Sequence, residues 1–147
     1  MTNRGVDIKN RKQRGEWAEM CFMARAAAHG LCVAKPYGDS ARYDFAIEYQ
    51  GRFLRVQVKS TKYKRFGSYI CRTTSTSRPY RANQVDFVAA YVIPLDVWYI
   101  LPTAAFQGKA MVCLSPHRKN SKYGRYREAW HLLLARPRKS RAAASGR

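Results

Sequence analysis

Residues 43–59 read Tyr43-Asp44-Phe45-Ala46-Ile47-Glu48-Tyr49, then Gln50-Gly51, then Arg52-Phe53-Leu54-Arg55-Val56-Gln57-Val58-Lys59. Two runs of alternating apolar and polar residues, Tyr43 to Tyr49 and Phe53 to Lys59, flank a two-residue turn signal, which predicts a β-hairpin. With Tyr49 facing Arg52, counting back along both strands places Asp44 opposite Gln57. Alternation then sets Lys59 on the face of Asp44 and Gln57. Leu54, Val56 and Val58 point the other way with Tyr43, Phe45 and Ile47. The hairpin thus presents a polar trio above an apolar floor.

The neighbouring segments extend this frame. Upstream, Glu16 to Ala28 is rich in Ala, Met and other helix formers, and Gly30 stands where a helix would stop. Downstream, Gly67 to Thr73 suits a third strand, while Thr74 to Ala82 is polar and broken by Pro79. Val85 to Ile93 and Val97 to Leu101 are rich in β-branched and aromatic residues and are closed by Pro94 and Pro102. Between Gly124 and Ala135, Tyr126, Trp130, Leu133 and Leu134 recur at helical spacing, which predicts an amphipathic helix against the sheet. Thr103 to Gln107 and Met111 to Leu114 are ambiguous. Trp17, Trp98, Tyr99, Ile100 and Trp130 read as core.

The 147 residues suit one domain, and 46% apolar content with 9 Gly and 6 Pro excludes a disordered low-complexity chain. No repeat or dividing linker is visible. The expected organisation is a basic arm over 1–14, a folded body over 15–135 and a basic tail over 136–147. Neither a signal peptide nor a membrane-spanning run is present in the sequence, so an intracellular, cytoplasmic protein without membrane contact is expected. Cys21, Cys32, Cys71 and Cys113 include no Cys-x-x-Cys pair, so they are expected to be reduced, mostly buried thiols.

Twenty-eight Lys and Arg against nine Asp and Glu give a net charge of +19. The body stays basic without its ends. No carboxylate occurs from Tyr49 through Val85, nor from Val97 to Arg127. Such blocks bind phosphates by releasing counterions, so nucleic acid is the expected partner. Arg42, Arg55, Lys62, Lys64, Arg65, Arg78, Arg81, Lys119 and Lys122 are the candidate contacts. Tyr63, Phe66, Tyr69, Tyr123 and Tyr126 lie among the cations and either stack on bases or serve the core.

The predicted helix carries only two charged residues between Ala18 and Ala28, Glu19 and Arg25. Glu19 sits among Trp17, Met20, Phe22 and Met23, where a carboxylate needs a cation or metal. Glu16 is the fallback. Magnesium takes oxygen ligands, using one or two carboxylates together with water and substrate phosphate. Glu19 and Asp44 can supply the charge, and Gln57 a neutral amide oxygen. Lys59 can orient the attacking water or stabilise charge developing on phosphate. In the simpler reading, Lys59 only pairs with Asp44 on a solvated face. His117, Asn120 and His131 lack the hairpin-then-helix order of a His-Asn-His nuclease; Asn83-Gln84 and Asp86 could reach the site or the DNA backbone, and in the simpler reading Asp86 ends a loop.

The order Gly15-Glu16-x-Ala18-Glu19, Gly38-Asp39-Ser40-x-x-Tyr43-Asp44, Gly51-Arg52 and Val56-Gln57-Val58-Lys59-Ser60 resembles the PD-(D/E)xK nuclease superfamily. Within it the chain is most similar to intron-associated homing endonucleases with a Gln-x-Lys motif, and also to archaeal-type Holliday junction resolvases. The likeness covers about residues 11–62, and Asn83 to Pro102 more loosely. Tyr43 replaces the namesake Pro, and Gln57 replaces the usual second acid, removing one negative charge. The resemblance implies an α/β restriction-endonuclease-like fold, a mixed central β-sheet flanked by helices. It implies magnesium, or manganese in its place, held by Glu19, Asp44, Gln57 and the Val58 carbonyl, with Lys59 as catalytic lysine. The expected activity is endonucleolytic hydrolysis of double-stranded or branched DNA by a homo-oligomer, dimer or tetramer. The alternatives are a structure-selective junction resolvase and a non-catalytic nucleic-acid-binding protein.

Overall fold

In the computed structural model, residues 5–74 and 84–134 are described. The chain runs α1 (Arg11–Ala28), β1 (Cys32–Ala34), β2 (Phe45–Tyr49), β3 (Arg52–Thr61), β4 (Lys64–Arg65), β5 (Ser68–Arg72), β6 (Phe87–Val92), β7 (Val97–Pro102) and β8 (Met111–Leu114), with short 3-10 turns between and after the last strands. Gln50 and Gly51 close the β2–β3 hairpin with φ of 52° and 76°, the left-handed pair that a two-residue turn requires. The expected register is present from Tyr49↔Arg52 through Phe45↔Val56.

Five strands form a central sheet in the order β1-β2-β3-β6-β7, and β4-β5-β8 form a second, three-stranded sheet. β3 and β6 run parallel, whereas the other neighbours in the central sheet are antiparallel, so that sheet is mixed. One face is covered by α1. The expected second flanking helix does not form, and the opposite face packs on the small sheet instead.

α1 begins five residues before the expected Glu16 and takes in the end of the basic arm. The cause is Asn10, whose side chain accepts the Gln13 N–H at 3.1 Å and caps the helix start. Its inward stripe is Ala18, Phe22 and Ala26, spaced one turn apart. Small residues on either side let the Phe22 ring reach Phe45, Trp98 and Trp130 at centroid distances of 5.3, 5.7 and 5.7 Å. The first core therefore joins α1 to Phe45, Ile47, Val56, Val58, Tyr91, Trp98 and Ile100. A second core joins Val88, Ala90, Val92, Val97, Tyr99 and Leu101 to Tyr69, Cys71, Val112 and Leu114 of the small sheet.

The helix expected over Gly124 to Ala135 is replaced by 3-10 turns at Gly124–Tyr126 and Trp130–Leu133, with Ala135 outside the described residues. Glu128 breaks the segment with φ 50°. Its N–H donates to the Trp98 carbonyl at 2.7 Å, and Oε1 accepts the Trp98 N–H at 2.9 Å. Oε2 accepts the Trp130 indole N–H at 2.7 Å. Arg127 adds a β-bridge to Tyr99. A continuous helix would leave these groups at the β7 edge unpaired, so edge satisfaction overrides helical periodicity. Met111–Leu114 resolves as a strand and Thr103–Phe106 as a 3-10 turn.

The expectation of mostly buried cysteines is corrected. All four are free thiols, but Cys32 and Cys113 are exposed, Cys21 is half-buried and only Cys71 is buried. Short strands β1 and β8 turn alternate residues to water, and both exposed cysteines occupy such positions.

Candidate active site

Asp44 lies one residue before β2, where the hairpin ladder ends. Its N–H donates to the Val56 carbonyl at 3.0 Å, and its Oδ2 accepts the Val58 N–H at 2.8 Å. A side-chain oxygen thus takes the place of a main-chain acceptor, and the chain leaves the regular register. This break also corrects the expected floor. Phe45, Ile47, Val56, Val58 and Leu54 join the first core as alternation requires, but Tyr43 packs against the second.

Glu19 follows the buried Ala18 on α1 and is itself half-buried. Burial and the adjacent Asp44 carboxyl, which couples to it by charge and by hydrogen bond, push its pKa up to about 7; Lys35 pulls it the other way. The two acids line one cleft of about 380 Å³ with Glu16, Lys35 and Asp39. Among the described residues no group of three or more His, Cys, Asp or Glu side chains is gathered as a metal cage. Two neighbouring carboxyls instead match a hard cation that retains water and takes one or two acidic ligands.

Gln57 and Lys59 are half-buried at alternate positions of β3. They pair in register with Val88 and Ala90, so they share the second-core face of the sheet, opposite α1. Lys59 comes close enough to Cys71 for its charge to favour the thiolate, although burial dominates and raises that thiol to about 12. Among the described hydrogen bonds and ion pairs none joins Gln57 or Lys59 to Glu19 or Asp44. The link between the two faces is Val58, whose N–H holds the Asp44 carboxylate and whose sequence neighbours are Gln57 and Lys59. The expected polar trio on one face is thus corrected: where the ladder ends Asp44 turns toward Glu19, while Gln57 and Lys59 stay on the second-core face, and no Lys59–Asp44 ion pair is present among the described residues.

Lys35 has no periodicity to mark it in the sequence, yet it lines the acidic cleft and places its ammonium 5.6 Å from the Phe45 ring centroid. Asp86 does more than end a loop. It accepts the Arg55 N–H at 2.7 Å and grips that guanidinium at 3.1 and 3.2 Å, tying the start of β3 to β6. This contact also raises the pKa of Arg55 and engages a residue expected on the nucleic-acid surface.

Of the other candidate contacts, Arg42, Lys62, Lys64, Arg65, Lys119 and Lys122 are exposed, and Arg78 and Arg81 lie outside the described residues. The aromatics divide. Tyr69 and Tyr123 are buried and Tyr126 is half-buried, whereas Tyr63 and Phe66 are exposed. Beside the small sheet, Lys109, Arg118 and Lys122 line a second cleft of about 460 Å³. There the close approach of the Lys122 ammonium lowers the pKa of Lys109. Adjacent ammonium groups favour an anion between them, a feature the linear spacing of residues 109 and 122 conceals.

A helix-borne acid beside an aspartate hooked onto a strand that continues as Gln-x-Lys defines a nuclease class. The PD-(D/E)XK endonuclease family matches residues 9–133, and the chain belongs to it. Among solved structures it is similar to the bacterial homing endonuclease I-Ssp6803I, at 34% identity and a TM-score of 0.71, over 86% of this chain and 93% of that one. No curated protein matches the chain. Among the described residues no helix is long and apolar enough to cross a membrane.

Proposed function

We propose that this protein is a magnesium-dependent DNA endonuclease of the homing-endonuclease type. The observation that carries the reading is the Glu19–Asp44 carboxyl pair, with Asp44 anchored to the strand that bears Gln57 and Lys59. Two acids pressed together raise the proton affinity of one of them, and a divalent ion relieves the same repulsion. Glu19, Asp44 and the Val58 carbonyl would hold magnesium, or manganese in its place, in the acidic cleft, whereas the Gln57 amide that the resemblance adds to the set stands on the other face of β3. What a bound ion supplies there is charge neutralisation and a water of lowered pKa.

The remaining work falls to the chain. Reaching around the open end of the ladder from the other face of β3, Lys59 orients the attacking water and neutralises the phosphate oxygens as charge develops. The Val58 N–H fixes the Asp44 carboxylate in one orientation, which reduces the reorganisation needed for each turnover. Arg42, Lys62, Lys64, Arg65, Lys119 and Lys122, with Arg78 and Arg81, hold the duplex through its phosphates, so affinity falls steeply with salt. Cutting both strands calls for two sites, met by a dimer or tetramer.

The test is cleavage of a plasmid library with magnesium or manganese, comparing wild type with Lys59→Ala and Asp44→Asn. Wild type should cut at defined positions, and each variant should be slowed by about 100-fold or more. Equal background cleavage by all three would leave only a binding protein. A four-way junction cut in preference to linear duplex would point to a junction resolvase.

A further inference from the structure

Phe66 stands at the tip of the β4–β5 hairpin, 88% exposed, in a turn completed by Gly67. Its φ is 50°, a left-handed conformation that is unusual for a bulky side chain. The β2–β3 turn has the same geometry but places a polar residue, Gln50, at the equivalent point. A large apolar ring at a position that favours Asn, Asp or Gly is left almost wholly in water here, its described ring contact being the Arg65 guanidinium 5.4 Å from its centroid. Lys62, Lys64 and Arg65 are exposed around it, and Tyr63 is 58% exposed.

We propose that Phe66 is a DNA wedge. The basic hairpin lies along the duplex, its cations on the phosphates, and the Phe66 ring enters between neighbouring base pairs, unstacking them and bending the helix. Apolar side chains carried on cationic elements do this at kinked steps, with the unstacking offset by the wider protein contact that the bend allows. Charge selects the occupant. The hairpin tip is ringed by the exposed cations Lys62, Lys64 and Arg65 with no carboxylate in the sequence from Tyr49 through Val85, so the occupant that complements it is a polyanion such as DNA. The inference rests on the DNA endonuclease reading and adds to it the residue that deforms the target.

The test uses a duplex copied from the sequence that the full-length wild-type protein cuts in a plasmid library, with 2-aminopurine at successive steps and EDTA to stop cleavage. Wild type should raise the fluorescence severalfold at one step. Phe66→Ala should lose that rise and bind about tenfold or more weakly, while Phe66→Trp should keep both. Phe66→Gly should lose the rise yet melt no lower than wild type, because glycine suits the turn, which separates wedge loss from unfolding. If wild type cleaves and Phe66→Ala gives the same fluorescence and affinity, the wedge is overturned and the endonuclease reading stands. If Phe66→Ala changes only the sedimentation of the protein, the ring is a protein contact and the wedge is overturned. If wild type cuts no DNA, both readings fall.

Discussion

The carboxylate of Asp44 accepts the main-chain N–H of Val58 at 2.8 Å, closing the hairpin with a side chain where a backbone carbonyl would otherwise serve. One residue therefore completes the sheet and faces the Glu19 carboxyl. Fold and the proposed chemistry meet at that bond, so variants at position 44 can separate them.

Asp44→Asn keeps an oxygen that can accept the Val58 N–H but removes the charge. It should melt near wild type and lose cleavage by about 100-fold or more. Asp44→Ala leaves a buried N–H unpaired and should lose stability as well, by about 1–3 kcal/mol. Denaturant titration beside initial cleavage rates checks both. An Asp44→Asn enzyme of wild-type activity would remove the carboxylate from the mechanism.

Stability of the metal-free protein should depend on pH through Glu19. Its folded pKa is raised from 4.5 to about 7, so the folded state binds the proton more tightly than the unfolded chain. Stability is then greatest below about 4.5, falls as pH rises between those values and is level above about 7 as far as this group is concerned. Glu19→Gln should flatten that slope. Urea midpoints measured across the window, with EDTA present, read it directly; an unchanged slope in Glu19→Gln would place the titration elsewhere.

Glu128 satisfies two donors with one side chain, the Trp98 N–H and the Trp130 indole N–H. Glu128→Ala should cost about 3 kcal/mol because both are left without their charged acceptor. Glu128→Gln, which keeps an acceptor oxygen for one of them, should cost less. Thermal or chemical melts rank the three proteins, and equal stability of Ala and Gln variants would discount the two-donor role.

The thiols should differ in reactivity. Cys32 and Cys113 are exposed and should be modified rapidly by an aromatic disulfide reagent in the native protein. Cys71 is buried, and that burial raises its pKa to about 12, so it should react only after unfolding. Counting released thiolate before and after adding denaturant resolves the groups, and fast native modification of Cys71, located by peptide mapping, would contradict its burial.

Local pattern was enough for the hairpin. Alternation around Gln50-Gly51 fixes which residues pair, because side-chain direction has a period of two and a one-residue slip would turn Phe45, Ile47, Val56 and Val58 out of the core. The body of α1 was legible from its helix-forming residues and the Gly30 stop, and the positive charge from composition, whereas the inward stripe Ala18, Phe22 and Ala26 emerged only in the structure. The start of α1 was obscured because Arg11 to Arg14 resembles a solvated arm until Asn10 is recognised as its cap.

By itself the sequence determined the β2–β3 register, the acid on α1 and the Gln-x-Lys strand, since each depends on neighbours a few residues apart, and the net charge of +19, which is a sum over composition. Only the tertiary structure decided that Asp44 leaves the ladder to hold Val58 and couple to Glu19, that Gln57 and Lys59 lie on the second-core face, and that Glu128 pairs with Trp98 instead of extending a helix. Those outcomes depend on which donors and acceptors are left unpaired once distant segments pack. Main-chain hydrogen-bond satisfaction across the assembled sheet is not encoded in any single periodicity along the chain.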